Sequence, residues 1–192
     1  MAQSNSNETI LRYCKMYNFD YSKHRICLSI EFDSEVPTTS TRKYITREIF
    51  SSITTWIMNT YGCNVFFLKT HTHYVLYLLF SDVISQETAE YQASEAAKKI
   101  WHIFNHNNIS TYIGVSLYSS DLQQISKAFF QAIDAMKLGR KLYPEENVFL
   151  FRTIQVYQWL STMPQESLEE MYRDTIEPLS KAGNSDVNYV HI

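Results

Sequence analysis

The chain has 192 residues, enough to bury a full hydrophobic core without disulfides or structural metals. Hydrophobic residues make up 45% of it and charged residues 19%, which excludes a disordered chain. The net charge of −3 argues against a general nucleic-acid binder, because affinity for phosphates needs concentrated Lys and Arg. With only four glycines, the chain also has little material for Gly-rich phosphate loops.

The cysteines and the apolar runs indicate the compartment. Cys14, Cys27 and Cys63 are odd in number, widely spaced and without a CxxC pair, which predicts buried, reduced thiols. The N-terminus lacks the apolar segment of a signal peptide. The longest apolar runs have the length of strands, so none is predicted to cross a membrane. We therefore expect a cytoplasmic protein.

The first half of the chain alternates between helix and strand patterns. Glu8–Tyr17 has apolar residues at helical spacing and predicts a short lead-in helix. His24–Asp33 alternates apolar and polar residues, as a half-buried strand does. Thr41–Tyr61 has apolar residues three and four apart, which predicts an amphipathic helix. The apolar runs Asn64–Lys69 and Tyr74–Phe80 are joined by a short polar segment and predict a β-hairpin.

The second half repeats this alternation. An alanine-rich stripe predicts a helix over Ser85–Asn107, and Ile109–Tyr118 predicts a strand. Ser120–Gln123 has the form of a capping box, so we expect it to start a helix that ends near Gly139. Asn147–Phe151 predicts a last strand.

The predicted order of elements favours an α+β fold. After the lead-in helix it reads βαββαβ and then αβ, followed by two helices over Gln155–Met163 and Glu166–Ala182. Right-handed crossovers place both long helices on the same face of the sheet. We predict a mainly antiparallel sheet of ferredoxin-like type with helices packed on it and extra helices at both ends.

Four histidines have a spacing that is compatible with metal binding. His71 and His73 lie two residues apart on the hairpin and would share a face in an extended chain. His102 and His106 lie four apart on a predicted helix but lack the glutamate of an HExxH motif. Neither pair has an evident third ligand, and we expect solvated histidines at both places.

Two charged groups allow a functional and a structural interpretation. Glu31 and Asp33 end the first strand, where they could bind Mg²⁺ or simply turn into water. Lys137, Arg140 and Lys141 form a basic cluster at the C-terminal end of a helix, a placement that the helix macrodipole alone explains. Residue spacing by itself therefore predicts no reaction.

Two stretches resemble a known family. The strand Tyr112–Leu117 (YIGVSL) and the helix Ala128–Arg140 (AFFQAIDAMKLGR) are similar to the second half of GGDEF domains, which have the nucleotide-cyclase-like fold of diguanylate cyclases. The hairpin within Phe67–Leu79 falls where that family has its signature turn. The resemblance implies a GGDEF-like fold, and the predicted element order agrees with it.

The residues that carry the family's chemistry are not retained. Thr70–His73 stands where the family has its glycines and acids, and the family's leading metal aspartate maps to Ser29, with Glu31 as the next acid in phase. One carboxylate without a partner is a poor two-metal site. The resemblance thus implies that the chain is not an enzyme and uses no metal or cofactor. The degenerate hairpin and strand form a candidate ligand site that comprises Ser29, Glu31, Lys69, Thr70, His71, Thr72 and His73.

A degenerate domain flanked by helices resembles the central module of CdaR/PucR-type transcriptional regulators. The resemblance implies a lead-in helix at residues 1–21, a GGDEF-like domain at residues 22–153 and a helical extension at residues 154–192. It also implies that the extension leads toward a helix-turn-helix domain absent from this chain, through which alone the regulator contacts DNA.

The resemblance implies two candidate functions. The first is a non-catalytic regulatory, signal-transmitting or dimerisation module of a bacterial regulator, with a small-molecule effector as partner. The alternative is a degenerate receptor that holds a guanine nucleotide or cyclic dinucleotide without turnover. We further expect a weak homodimer through the N-terminal helix, because apolar residues such as Leu11 have no sheet to cover them.

Overall fold

The computed structural model describes residues 15–16, 19–20, 22–33, 40–70, 73–81, 84–121 and 124–178. The chain divides into two compact units, Met1–Ile154 and Gln155–Ile192. The elements in chain order are β1 (His24–Phe32), α1 (Ser40–Tyr61), β2 (Asn64–Lys69), β3 (Tyr74–Phe80), α2 (Gln86–His106), β4 (Thr111–Val115), α3 (Ile125–Leu142), β5 (Val148–Leu150), α4 (Phe151–Thr162), α5 (Gln165–Met171) and a π-helical turn (Tyr172–Ile176).

The five strands form one sheet in the order β2-β3-β1-β4-β5. β1 runs antiparallel to both of its neighbours, with Ile30 opposite Tyr74 on β3 and opposite Ile113 on β4. Only β4 and β5 are parallel, because α3 crosses over between them. The predicted α+β fold with a mainly antiparallel sheet is confirmed.

The larger apolar core lies on one face of the sheet, under α1 and α2. The alternation along β1 directs Ile26, Leu28 and Ile30 into this core, where Ile53 of α1 and Ile100 of α2 are also fully buried. The prediction that both long helices pack on the same face is therefore confirmed. Its physical basis is the handedness of the two crossovers that flank the hairpin.

The opposite face of the sheet is covered by α3. The other side chains of β1 and β3, including Cys27 and Val75, pack there against Ala128 and Ala132. These alanines let the helix backbone approach the sheet closely, because nothing larger than a methyl group stands between them. The small residues of the predicted helix stripe thus determine how near α3 lies.

The strand β4 is shorter than predicted. It ends at Val115 instead of Tyr118, because the amide of Cys27 donates to Oγ of Ser116 (2.8 Å) and this side-chain bond interrupts the backbone ladder. Pairing resumes only as an isolated bridge between Arg25 and Ser119.

The bounds predicted for α3 also need correction. The helix begins at Ile125 instead of Ser120, and its N-cap residue Gln124 makes no side-chain capping bond. Leu122 and Gln123 of the predicted capping box lie outside the described residues. The helix continues past Gly139 to Leu142. Gly139 does not end the helix, since among the described glycines only Gly62 has a positive φ, and an added Cβ at Gly139 would lie 2.2 Å from the ring of Phe149.

Several predictions fall on residues that the structure does not describe. They include most of the lead-in helix Glu8–Tyr17, in which only residues 15–16 are described and helical, together with Cys14 and the tail beyond residue 178. Cys27 and Cys63 are free and buried, as predicted. In the second unit, Trp159 and Tyr172 are among the exposed apolar side chains. Among the described residues, no helix has the length and apolarity that crossing a membrane requires.

Candidate functional site

A cluster of charged side chains lies where β1 ends and β3 begins, on the face of the sheet that α3 covers. Glu31 extends from the end of β1, and its Oε2 lies 3.9 Å from Nδ1 of His73, the residue that precedes β3. Antiparallel pairing brings these two side chains together, because Ile30 is paired with Tyr74 and the next positions face each other. The structure thus unites two of the seven predicted site residues.

Arg140 of α3 joins the two acids at the end of β1. Its guanidinium lies 3.4 Å from Oε1 of Glu31 and 3.6 Å from Oδ1 of Asp33. The same group stacks over the ring of Tyr112 at 3.9 Å from the centroid, a cation–π contact. Both acids therefore face a protein cation, which ties the C-terminal end of α3 to the sheet.

His73 is the most buried titratable group of this cluster. Its side chain packs edge-on against Phe129, and its Nδ1 has no hydrogen-bond partner among the described residues. Burial lowers the pKa of His73 below its ordinary value of 6.5, the nearby Glu31 carboxylate opposes this shift, and Lys137 adds to it. The neutral imidazole is thus the form that the fold favours.

Thr70 and His73, the described residues on either side of the hairpin turn, bond to each other. The amide of Thr70 donates to the carbonyl of His73 (2.9 Å), and the amide of His73 donates to Oγ1 of Thr70 (2.9 Å). These two amides are therefore engaged within the turn and are not free to bind a phosphate. His71 and Thr72, which complete the predicted site in the turn, lie outside the described residues.

The remaining two predicted residues lie apart from the cluster. Ser29 is fully buried beneath α3, opposite Val75 and Gly114, and its hydroxyl has no hydrogen-bond partner among the described residues. Lys69 lies on the opposite face of the sheet, where its ammonium stacks on the ring of Tyr74 at 4.8 Å. Of the five predicted residues that the structure describes, Lys69 therefore lies on a different face of the sheet from Ser29, Glu31 and His73.

Comparison with known proteins assigns the fold to a family. Residues 3–138 match the sequence profile described as the GGDEF-like domain. The chain belongs to the GGDEF-like domain family. A solved structure similar to it is the active GGEEF domain of a diguanylate cyclase from Vibrio cholerae, with 17% sequence identity and a TM-score of 0.42 over 74% of this chain and 90% of that one. No curated protein sequence matches the chain significantly.

The motif residues of this GGDEF-like domain have identifiable structural roles. Gly114 and Gly139 allow close contacts between α3 and the sheet, and Arg140 makes the ion pairs described above. In the sequence, Arg140 belongs both to a basic helix end and to the helix that resembles GGDEF domains, and neither pattern predicted its pairing with Glu31. The motif itself was the available signal, since it ends in Arg140 on a helix that covers the sheet.

Among the described residues, His73, His102 and His106 gain no further ligands that would complete a metal site, and His71 lies outside the described residues. His102 and His106 are exposed at the end of α2, and His73 faces Glu31. Throughout the described part of the chain, no group of three or more His, Cys, Asp or Glu side chains could hold a metal ion.

The buried His73 predicts a pH-dependent stability for this GGDEF-like domain. Because its pKa is lowered in the folded state, the unfolded chain binds the proton first as the pH falls below 6.5. The stability that the neutral imidazole contributes is therefore complete above this pH and is lost below it. We expect the free energy of unfolding to fall between pH 7.5 and about pH 5.5 more steeply in the wild type than in His73→Gln.

Urea unfolding at a series of pH values measures this difference. His106→Gln is the matched control, because it removes an exposed histidine from the end of α2. Parallel pH profiles for wild type and His73→Gln would contradict the prediction, since the decline would then not come from His73.

Proposed function

We propose that this GGDEF-like domain is a non-catalytic regulatory module of a bacterial transcriptional regulator of the CdaR/PucR type. The observation that carries the proposal is the bridge from Arg140 to both Glu31 and Asp33. A two-metal site for nucleotide chemistry needs carboxylates that are free to coordinate cations. Here a guanidinium already occupies the space between the only two acids that end β1.

The surroundings of the bridge support the same function. The strand position that would supply a second carboxylate holds Ser29, which is buried beneath α3. The described amides of the hairpin, those of Thr70 and His73, are bonded within the turn. These two described amides are therefore not available as donors to a phosphate group that approaches this end of the sheet.

The regulatory role assigns DNA contact to another part of the regulator. The chain has a net charge of −3, which does not favour binding to a polyphosphate. In the proposed function a helix-turn-helix domain contacts the DNA. The GGDEF-like domain receives a small-molecule signal and transmits it, with a second copy of the chain as partner.

Incubation with nucleotides tests the absence of catalysis. With excess GTP and either Mg²⁺ or Mn²⁺, we expect no pyrophosphate and no cyclic dinucleotide over hours, measured by ion-exchange chromatography beside an active cyclase. Product that forms with the wild type and disappears with Glu31→Gln would overturn the proposal, because it would make Glu31 a catalytic carboxylate. Calorimetric titration with GTP and with a cyclic dinucleotide extends the test. Tight binding without turnover would favour a degenerate nucleotide receptor instead.

A further inference from the structure

A cleft lies on the face of the sheet opposite the charged cluster, between α1 and the open edge of the hairpin. Its volume is about 480 Å³, within the range of roughly 300–1,000 Å³ that small-molecule sites occupy. Helix α1 lines one wall and the two hairpin strands line the other. The lining residues are Arg47, Phe50, Ser51, Thr54, Phe67, Lys69 and Tyr74.

Three aromatic rings form the apolar part of this cleft. The rings of Phe50 and Tyr74 are stacked, with centroids 4.8 Å apart and an interplanar angle of 18°. Phe67 lies at 4.8 Å from Phe50 and at 6.1 Å from Tyr74, the latter at an angle of 23°. Phe67 remains 39% exposed although it belongs to a strand of the core sheet. A planar ring placed on Phe67 would remove this apolar surface from water and extend the stack.

Two cations border the rings. The ammonium of Lys69 lies 4.8 Å from the centroid of Tyr74, and Arg47 projects from the second turn of α1. Among the residues that the structure describes, neither cation forms an ion pair with a carboxylate, whereas Arg140, Arg152 and Lys98 all do. An anionic group at the mouth of the cleft would therefore gain charge-assisted hydrogen bonds without breaking existing ion pairs.

The balance of apolar and charged groups selects the class of ligand. The stacked rings favour an aromatic ring over an aliphatic chain, and the two cations favour an acid over its neutral amide. The hydroxyl of Thr54 already donates to the carbonyl of Ser51 (2.9 Å), and the nearby amide of Thr70 is bonded within the hairpin. The hydrogen-bond donors that remain in the cleft, chiefly Arg47 and Lys69, match one carboxylate better than a chain of phosphates.

We propose that this cleft binds a small aromatic carboxylic acid, whose ring stacks on Phe67 and whose carboxylate pairs with Lys69 and Arg47. The proposal rests on the regulatory function proposed above and deepens it by naming the chemical class of the effector. In this proposal Lys69 binds the ligand on the face of the sheet opposite Glu31 and His73.

Isothermal titration calorimetry with three related probes tests the ligand class. Indole-3-acetate carries the ring and the acid, indole-3-acetamide lacks the charge, and cyclohexaneacetate lacks the aromatic ring. We expect indole-3-acetate to bind with a Kd below about 1 mM and each of the other two to bind about 10-fold more weakly. Equal affinity for acid and amide, or no binding heat at millimolar indole-3-acetate, would overturn the proposal.

Substitutions of residues that line the cleft test whether the ligand binds there. Lys69→Met and Phe67→Leu should each weaken the binding of indole-3-acetate by about 10-fold or more. Lys127→Met is the matched control, because it removes an exposed lysine from α3 on the other face of the sheet and should leave the Kd unchanged. Both Lys69 and Phe67 are exposed enough that the variants should keep the unfolding midpoint of the wild type, which circular dichroism verifies.

The outcomes separate this proposal from the regulatory function. Loss of affinity in Lys127→Met equal to that in Lys69→Met would overturn the assignment to the cleft. Absent binding of aromatic acids together with absent cyclase product would overturn the cleft proposal alone. Cyclic dinucleotide formation from GTP would overturn the regulatory function itself, whatever the acids do.

Discussion

Replacing Gly114 by alanine is expected to destabilise the domain by at least about 3 kcal/mol. A Cβ at this position of β4 would lie 1.8 Å from the carbonyl oxygen of Ala132 and 2.8 Å from its carbonyl carbon. Both atoms belong to the backbone of α3, so no side chain can turn away to make room. The whole helix would have to move off the sheet, and the contacts that bury Ala128 and Ala132 would loosen with it.

Two other glycines provide matched controls. Gly139→Ala places its Cβ 2.2 Å from the ring of Phe149, but that ring can shift, so the loss should be smaller. Gly62→Ala meets no atom within 4 Å, and its cost of about 1 kcal/mol comes from the positive φ of 64°. Thermal unfolding should rank the variants in this order, with a drop of about 6–12 °C for Gly114→Ala. A loss below that of Gly62→Ala would show that α3 can yield.

Replacing Ser29 by aspartate, the residue that the family resemblance places there, is expected to destabilise the domain by about 3–5 kcal/mol. The side chain of Ser29 is fully buried and its hydroxyl is without a partner among the described residues. An aspartate would bring an uncompensated charge beneath α3, two residues from Glu31 on the same face of β1. The substitution should therefore not recreate a metal site.

The pH and a neutral isostere separate charge from size. Burial raises the pKa of an introduced carboxyl group in the folded state, so its cost is complete above that raised pKa and declines as the pH falls through it toward the unfolded-state value. The asparagine of Ser29→Asn has nearly the same volume as aspartate but no charge. This variant should lose less stability than Ser29→Asp, and its stability should not recover as the pH falls. Added Mg²⁺ should leave the unfolding midpoint of Ser29→Asp unchanged. Stabilisation by Mg²⁺ would contradict the prediction and would also weaken the proposal of a non-catalytic domain.

Both predictions relate the sequence motifs to packing. The glycines and alanines of the two stretches that resemble GGDEF domains keep α3 close to the sheet. This proximity brings Arg140 within reach of Glu31 and Asp33. In this chain α3 is therefore joined to the end of β1 by the ion pairs of Arg140 with Glu31 and Asp33.

The sequence by itself determined the order of the elements and the faces that they bury. The alternation over β1 and the three- and four-residue spacing over α1 and α2 are local patterns, and a crossover has a preferred hand. These features were sufficient to predict the antiparallel sheet and the common face of Ile53 and Ile100. The ends of β4 and α3 were predicted wrongly, because side chains distant in sequence set them, such as the hydroxyl of Ser116 that binds the amide of Cys27.

Only the tertiary structure decided which polar groups meet. Glu31 and Arg140 are 109 residues apart, and their contact depends on strand register and on how close α3 approaches the sheet. The cleft arises in the same way, since Arg47 and Phe67 belong to different elements and neither pattern points to the other. Periodicity records which face of an element is buried, but the pairing of charges and the shape of a cavity depend on distances between elements, which local spacing does not encode.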